Sequence, residues 1–331
     1  MVPPPFLADL AARGLLTPAQ AAAIATHERE RPFSIHYELR ALLYFGITLL
    51  TGGLGVLVYQ NIEHIGHGVV VSFIALLLLA CFAYVARHRQ PFTWGEAPRA
   101  GLLPDYMLLL GCLLFLILEG YLQYQYQLFG TRYGLVTVLP TIFFLWLAYA
   151  FDHRGVLAMG LTALGSWVGV SVAPLSAFAD NHFFHSGLGE AAIGLGLSLM
   201  AAGLVSEMRH LKRHFAFTYL SLGGNVALLA ATAALLNGGT ARLSPLVLAP
   251  LVLAICAFLV WHARRTHSYL FLLMGALYGY IVVTYLFYQL LREDSSNSIF
   301  ELMVTLYFPL SAAGAILLFV NIKKILRIHA D

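Results

Sequence analysis

A stripe of polar side chains interrupts an otherwise apolar stretch of this sequence. Glu119, Gln123 and Gln127 are spaced four residues apart, which places an acid and two amides on one face of a helix. Glu119 follows Asp105 by 14 residues, so it lies roughly 21 Å further along such a helix. Inside a membrane, a carboxyl group is costly unless it faces protein or water, which makes Glu119 the first candidate functional residue.

Further candidate ligand-binding residues surround the predicted outer end of this stripe. They carry hydroxyl, guanidinium or carboxyl groups, and the set comprises Tyr121, Tyr124, Tyr126, Arg132, Arg292 and Glu301. The functional interpretation is a polar cavity in which Glu119 binds a cationic or hydroxylated group or passes a proton. The structural alternative is an internal ion pair or hydrogen bond, with Arg132 or Arg292 as the partner of Glu119. Tyrosines at this level also suit the aromatic belt of a membrane protein.

Two predicted outer loops repeat a His-x-x-His spacing, formed by His64 with His67 and by His182 with His185. Paired imidazoles with a nearby carboxylate can bind zinc or copper if the loops meet in space. Histidine is also an ordinary loop residue at a membrane interface, and the sequence requires no other cofactor. It contains no Gly-x-Ser-x-Gly nucleophile elbow, phosphate loop or zincin helix motif. An enzyme is therefore the least expected class of function.

The composition predicts an integral membrane protein with many spans. Of the 331 residues, 60% are hydrophobic and only 11% are charged, which is more apolar than a soluble core of this size requires. Windows of about 20 apolar residues predict ten spans. They cover residues 41–60, 68–86, 104–126, 133–151, 155–176, 188–206, 214–236, 244–263, 268–290 and 300–322. The predicted fold is an all-α, ten-helix transmembrane domain over residues 39–331.

Basic residues are distributed unevenly between the two sides of these spans. Arg132, Arg242 and Arg292 fall on one side, and the other 16 of the 19 lysines and arginines fall on the opposite side. Because Lys and Arg accumulate in cytoplasmic loops, both termini are expected in the cytoplasm. The net charge of +3 thus reflects topology, and nucleic acid is not an expected partner.

Residues 1–38 precede the first span and predict a cytoplasmic helical hairpin. Thr17, Pro18 and Gln20 have the order of a capping box with proline at the first helical position. An amphipathic helix over residues 6–16 is expected before it, ending near Gly14. The hairpin either packs under the bundle or docks a partner.

Three of the even-numbered spans share a pattern that predicts an internal repeat. Pro140, Pro250 and Pro309 each lie 14 residues before a basic residue at the predicted inner end of their span. Basic residues accumulate at the cytoplasmic ends of spans in any membrane protein, so the basic ends alone do not indicate a repeat. The regular position of the prolines is not explained in this way. The pattern predicts tandem two-helix hairpins, with a basic residue ending each one.

Three segments resemble a known family. Residues 10–24 contain Gly-Leu-Leu-Thr followed by Gln-Ala, residues 120–129 are rich in Gln and Tyr, and residues 145–149 read Leu-Trp-Leu-Ala-Tyr. These segments resemble bacterial multi-pass membrane proteins of domain-of-unknown-function family 2157. The resemblance covers the first half of the chain. It implies a bacterial inner-membrane protein and assigns no activity.

Three classes of function follow from these patterns. The leading hypothesis is a carrier or receptor that binds a small polar or amphipathic molecule in an outward-facing cavity near Glu119. The second is a structural or assembly subunit of a larger membrane complex, whose tyrosine-rich face packs on a partner subunit or on membrane lipid. The third, a metal-dependent membrane enzyme, depends on the histidine loops.

Overall fold

The computed structural model describes residues 36–96, 101–130, 132–172, 187–240, 242–292 and 298–321, together with residues 14, 17, 19, 20 and 22. For some of these residues, only the backbone is described. They are residues 36–38, 40, 58, 59, 61–65, 292, 298–304, 315, 318 and 319.

The described residues form ten α-helices, in agreement with the predicted number. They are α1 (His36–Ile65), α2 (His67–Arg87), α3 (Leu102–Tyr126), α4 (Tyr133–Phe151), α5 (Arg154–Val172), α6 (Leu188–Met208), α7 (Ala216–Leu236), α8 (Pro245–Thr266), α9 (Tyr269–Arg292) and α10 (Ser298–Val320). Within the described part, the eight helices from α2 to α9 are long and apolar enough to cross a membrane. The all-α membrane bundle is confirmed at that level, and the full count of ten spans stays a prediction.

The chain divides into two compact units, Met1–Asn61 and Ile62–Asp331. In the first unit, the backbone N–H of Thr17 donates to Oε1 of Gln20 over 2.9 Å, and the N–H of Gln20 donates to Oγ1 of Thr17 over 3.3 Å. This reciprocal pair confirms the capping box. Gly14 lies in a turn with φ 71°, and residues 19, 20 and 22 are helical. Most of the predicted hairpin lies outside the described residues.

In the second unit, sequential helices pack as hairpins. The most extensively packed pairs are α2 with α3, α4 with α5, α6 with α7, and α8 with α9. The structure confirms that sequential helices pack in pairs. Each packed pair begins one helix later than the sequence pattern predicted. The sequence pattern placed a basic residue at the end of each hairpin, whereas the basic turn joins the two helices of each packed pair. Two of these turns are only two residues long, at 152–153 and 267–268, so their helices stay in contact.

Close backbone contact holds the α6–α7 hairpin together. A Cβ added to Gly196 would lie 2.5 Å from the backbone N of Ala227 and 2.6 Å from the carbonyl oxygen of Gly223. Inside a membrane, small residues allow the backbones of two helices to approach each other this closely. The segment Arg213–Leu236, which contains α7, has half of its most apolar window buried, so α7 is a central helix of this unit.

The packed hairpins define two ends of the second unit. The basic end contains the turns 88–101, 152–153, 209–215 and 267–268, and the opposite end contains the turns 127–132 and 237–244. Pro140, Pro250 and Pro309 lie inside α4, α8 and α10, as the repeat pattern requires.

Candidate functional site

Glu119 is buried on the inward face of α3. Its side chain is 7% exposed, and it shares a helical face with the buried residues Leu108 and Cys112. It lies seven residues before the end of α3 at Tyr126, roughly 10 Å from the opposite end of the bundle. The oxygen Oε1 is enclosed and has no hydrogen-bond partner in the described part of the chain. A polar atom buried in this way is destabilising.

The ion-pair alternative for Glu119 depends on two arginines. Arg132 is exposed and precedes the first residue of α4, and among the described side chains it forms no ion pair with Glu119. The side chain of Arg292 lies outside the described residues, as does that of Glu301. Arg132 is therefore not the partner of this acid.

The two amides of the stripe shape the turn between α3 and α4. Gln123 Nε2 donates to the carbonyl oxygen of Gly130 over 2.8 Å, and the N–H of Phe129 donates to Gln123 Oε1 over 3.0 Å. Gln127 adopts a left-handed conformation with φ 47°, and its N–H donates to the carbonyl oxygen of Gln123. Both ends of the Gln123 amide are thus used within the protein.

The three tyrosines of the predicted ligand-binding set face different surroundings. Tyr121 OH lies 2.6 Å from Nδ1 of His67, at the start of α2. Tyr124 is 82% exposed and Tyr126 is also exposed. Glu119 faces the bundle while these two tyrosines face its surroundings, and their role as one ligand-binding set remains a prediction.

Of the four histidines in the predicted metal site, only His67 has a described side chain, and its contact with Tyr121 connects α2 to α3. The side chain of His64 is outside the description, and so are His182 and His185. Among the residues that the structure describes, no group of three or more His, Cys, Asp and Glu side chains could hold a metal ion. The zinc or copper site stays a prediction.

Glu190, at the start of α6, forms hydrogen bonds with the turn 237–244 at the opposite end. Its Oε1 accepts hydrogen bonds from Thr240 Oγ1 over 2.8 Å and from the backbone N–H of Arg242 over 2.9 Å. The Arg242 guanidinium Nε also lies 3.7 Å from Glu190 Oε2. This acid therefore has partners, in contrast with Oε1 of Glu119.

A buried ionic cluster at the basic end was missed by sequence reasoning. Lys212 Nζ lies 2.9 Å from Asp152 Oδ1, and His214 Nε2 lies 2.6 Å from the same oxygen. The backbone N–H of Lys212 donates to the carbonyl oxygen of Trp94 over 2.8 Å, so three turns meet here. Asp152 was a usable signal, because it is an acid between an apolar span and the basic residues His153 and Arg154.

A groove on the exposed side of α3 and α4 has a volume of about 540 Å³ and is lined by apolar side chains, including Phe115, Val138 and Ile142. A second cavity of about 410 Å³ lies nearer the basic end and is lined by Arg89 and Tyr149, among others. Trp146 lines both of them. The two cavities are therefore adjacent along α4.

A third cavity, of about 360 Å³, lies between α9 and α10 and is lined mainly by aromatic residues, among them Tyr280, Tyr285, Tyr288 and Tyr307. Several of its hydroxyl groups are already paired within the protein. Thr284 Oγ1 lies 2.7 Å from Tyr307 OH, and Gln289 Nε2 donates to Tyr285 OH over 2.8 Å. The first contact joins α9 to α10, and the second lies within α9.

The hairpin packing and the long apolar helices define the class of this chain, an integral multi-pass membrane protein. Residues 8–157 match the family model described as "Predicted membrane protein (DUF2157)", which confirms the resemblance over that part of the sequence. The matched residues include α1 to α4, and thus Glu119 and the groove beside α4. Searches of the curated proteins and of the solved structures each gave no match.

Proposed function

We propose that the protein is a carrier or receptor in the bacterial inner membrane, and that Glu119 binds a cationic or hydroxylated group of a small polar or amphipathic molecule or takes up a proton. The observation that carries the proposal is the enclosed Oε1 of Glu119, which has no partner in the described part of the chain. A ligand or a proton would supply the missing interaction.

The energetic argument starts from the cost of this acid. A buried polar atom without a hydrogen bond costs about 1–3 kcal/mol, and an apolar side chain would fit the same helix without that cost. Acids inside membrane helices are therefore functional candidates by default. An acid whose partner arrives only with a ligand is explained by function and not by stability.

The surroundings of Glu119 at the same depth also favour a polar site. Glu119 lies seven residues from one end of α3, and Pro140 lies seven residues after the first residue of the adjacent α4. Because proline has no N–H, the carbonyl oxygen of Val136 lacks its usual helical donor. A carbonyl oxygen that lacks its helical donor at this depth supports the proposed polar site.

The proposed orientation rests on the described basic side chains. At the opposite end these are Arg132 and Arg242, and at the basic end they are Arg87, Arg89, Arg154, Arg209, Lys212, Arg213, Arg264 and Arg265. Because basic residues accumulate on the cytoplasmic side, we place the basic end and both termini in the cytoplasm. The Glu119 site then opens to the outer side.

The first test separates a functional acid from a structural one by its effect on stability. If Glu119 serves function, Glu119→Leu raises the Tm of the purified protein in detergent, because an unsatisfied atom is removed. The matched control is Glu190→Leu, which removes an acid that has partners and should lower the Tm. A lower Tm for Glu119→Leu would show that the acid has a structural partner.

The second test measures function in proteoliposomes of known composition. Proton uptake is followed with an enclosed pH-sensitive dye under an imposed potential, and binding is followed as stabilisation by dodecylamine, an amphipathic cation. We expect the wild type to respond in at least one assay and Glu119→Gln to respond in neither. Equal responses of both proteins, with loss of a co-purifying membrane protein from the variant, would contradict the carrier proposal.

A second candidate function is supported by the exposed tyrosines at the opposite end. Tyr124 is 82% exposed, and Tyr126 and Tyr133 are more than half exposed. In an assembly subunit, such a face packs on a partner protein. Tyr124→Ala combined with Tyr126→Ala should then remove a co-purifying partner, whereas a lipid-facing aromatic belt predicts no change in what co-purifies.

A further inference from the structure

One face of α4 lines both of the adjacent cavities. Leu135, Leu139 and Ile142 line the apolar groove, Trp146 lines both cavities, and Tyr149 lines the cavity nearer the basic end. These residues recur every three or four positions, so they form one stripe along the helix. From Leu135 to Trp146 the stripe is roughly 16 Å long, close to the hydrocarbon depth of one membrane leaflet.

An arginine without a carboxylate partner lies at the basic end of this stripe. Arg89 is exposed, and its Cζ lies 5.7 Å from the ring centroid of Phe151. Among the described side chains, Arg89 forms no ion pair. The neighbouring cation Arg154 is different, because its Nη2 lies 3.1 Å from Glu96 Oε1. Arg89 is thus available to an anion from outside the protein.

We propose that this stripe binds one anionic phospholipid, with an acyl chain in the apolar groove and the phosphate at Arg89. Charge complementarity selects this occupant, because a guanidinium forms strong charge-assisted hydrogen bonds with a phosphate. Trp146 and Tyr149 lie between the chain and the headgroup, as aromatic side chains do at membrane interfaces. The groove passes the depth of Glu119, but Glu119 lines neither cavity, and the phosphate position at Arg89 lies at the basic end. The proposal does not depend on the proposed function.

The experiment uses the full-length protein in detergent with dioleoylphosphatidylglycerol, and with dioleoylphosphatidylcholine as the neutral counterpart. Native mass spectrometry counts the lipids that remain bound to the protein. We expect the wild type to retain phosphatidylglycerol, and Arg89→Gln to weaken its retention about tenfold, the effect of one charge-assisted hydrogen bond. Inorganic phosphate at the same concentration should not compete.

Arg264→Gln is the matched control, because Arg264 is an exposed arginine at the basic end of α8 that lines neither cavity. It makes the same charge change and should retain lipid as the wild type does. Ala150→Leu is the second variant. It keeps every charge but fills the cavity that Ala150 lines, and it should reduce retention.

Three outcomes would overturn the proposal. Equal weakening by Arg89→Gln and Arg264→Gln would show general attraction to a positive surface. Unchanged retention in Ala150→Leu would show that the cavity is not occupied. In the third outcome, Ala150→Leu alone loses a second copy of the chain or another bound protein, and its lipid retention does not differ. This face would then be assigned to a protein partner.

Discussion

Asp152 and Lys212 form an enclosed ion pair between two hairpins, with 2.9 Å between Oδ1 and Nζ. The Lys212 side chain is 1% exposed and that of Asp152 is 8% exposed. Asp152 directly follows α4 in a left-handed conformation, with φ 57°. Lys212 belongs to the turn between α6 and α7, so the pair joins this turn to the α4–α5 hairpin at the basic end.

Removing one charge of this pair should destabilise the protein strongly. Asp152→Asn leaves the ammonium of Lys212 buried without a carboxylate, and asparagine tolerates the same left-handed backbone. We expect a loss of about 3–5 kcal/mol in the free energy of unfolding, measured by denaturation in detergent.

Two further variants control this prediction. Glu96→Gln breaks the exposed pair with Arg154, whose side chains are 62% and 50% exposed, and it should change stability by less than about 1 kcal/mol. Adding Lys212→Met to Asp152→Asn should recover part of the loss, because no unpaired charge stays buried. If Asp152→Asn is as stable as the wild type, Lys212 does not depend on this carboxylate.

The helices were predictable because their signal is local, whereas this pair was not. An apolar run of about 20 residues indicates a membrane helix wherever its neighbours pack, and each of the ten predicted spans overlaps one of the helices α1 to α10. Asp152 and Lys212 are 60 positions apart, so their contact depends on how two hairpins meet. The sequence indicated only that Lys212 belongs to a basic side.

The choice of packed helix pairs and the role of the Gln123 amide could not be predicted for a similar reason. Proline spacing indicated two-helix units, but the choice of packed neighbour depends on contacts such as that between Gly196 and Gly223. The spacing of Gln123 from Glu119 correctly indicated a shared helical face. It could not show that the chain turns back within seven residues and uses the Gln123 amide at Gly130.

The contact of Gly196 with α7 predicts opposite effects of two alanine substitutions on one helix. Gly196→Ala would bring a Cβ within 2.6 Å of the carbonyl oxygen of Gly223, and relieving that clash should cost about 1–3 kcal/mol. A Cβ at Gly194 meets nothing within 4 Å, so Gly194→Ala should be neutral or stabilising. Thermal unfolding of the two variants in one detergent measures the difference, and equal Tm values would contradict this close contact.

Gln123 provides a test of the α3–α4 turn. Gln123→Leu removes the bonds to Phe129 and Gly130, and we expect a loss of about 1–2 kcal/mol together with faster hydrogen exchange at the Phe129 amide. Gln125→Leu is the control, because Gln125 is exposed two residues away. Protection at Phe129 that is unchanged in Gln123→Leu would show that this turn is held by other contacts.

The contact between Tyr121 and His67 can be tested with a change that removes one oxygen. Tyr121→Phe leaves His67 Nδ1 without its 2.6 Å partner, and we expect a loss of about 1 kcal/mol. Tyr124→Phe makes the same change at a side chain that is 82% exposed, so its Tm should equal that of the wild type. Similar losses in both variants would mean that the contact between α2 and α3 adds no stability of its own.

The same variant bears on the predicted metal site. While Tyr121 occupies Nδ1, His67 can offer only Nε2 to zinc or copper, since each ring nitrogen takes one partner. A hydrogen bond at the other ring nitrogen orients a metal-binding imidazole, so a zinc-loaded protein should lose about tenfold in zinc affinity in Tyr121→Phe. Elemental analysis of the purified protein, followed by zinc titration of both proteins, measures this. Equal zinc affinity of the two proteins would show that His67 contacts Tyr121 but is not a ligand of the predicted metal site.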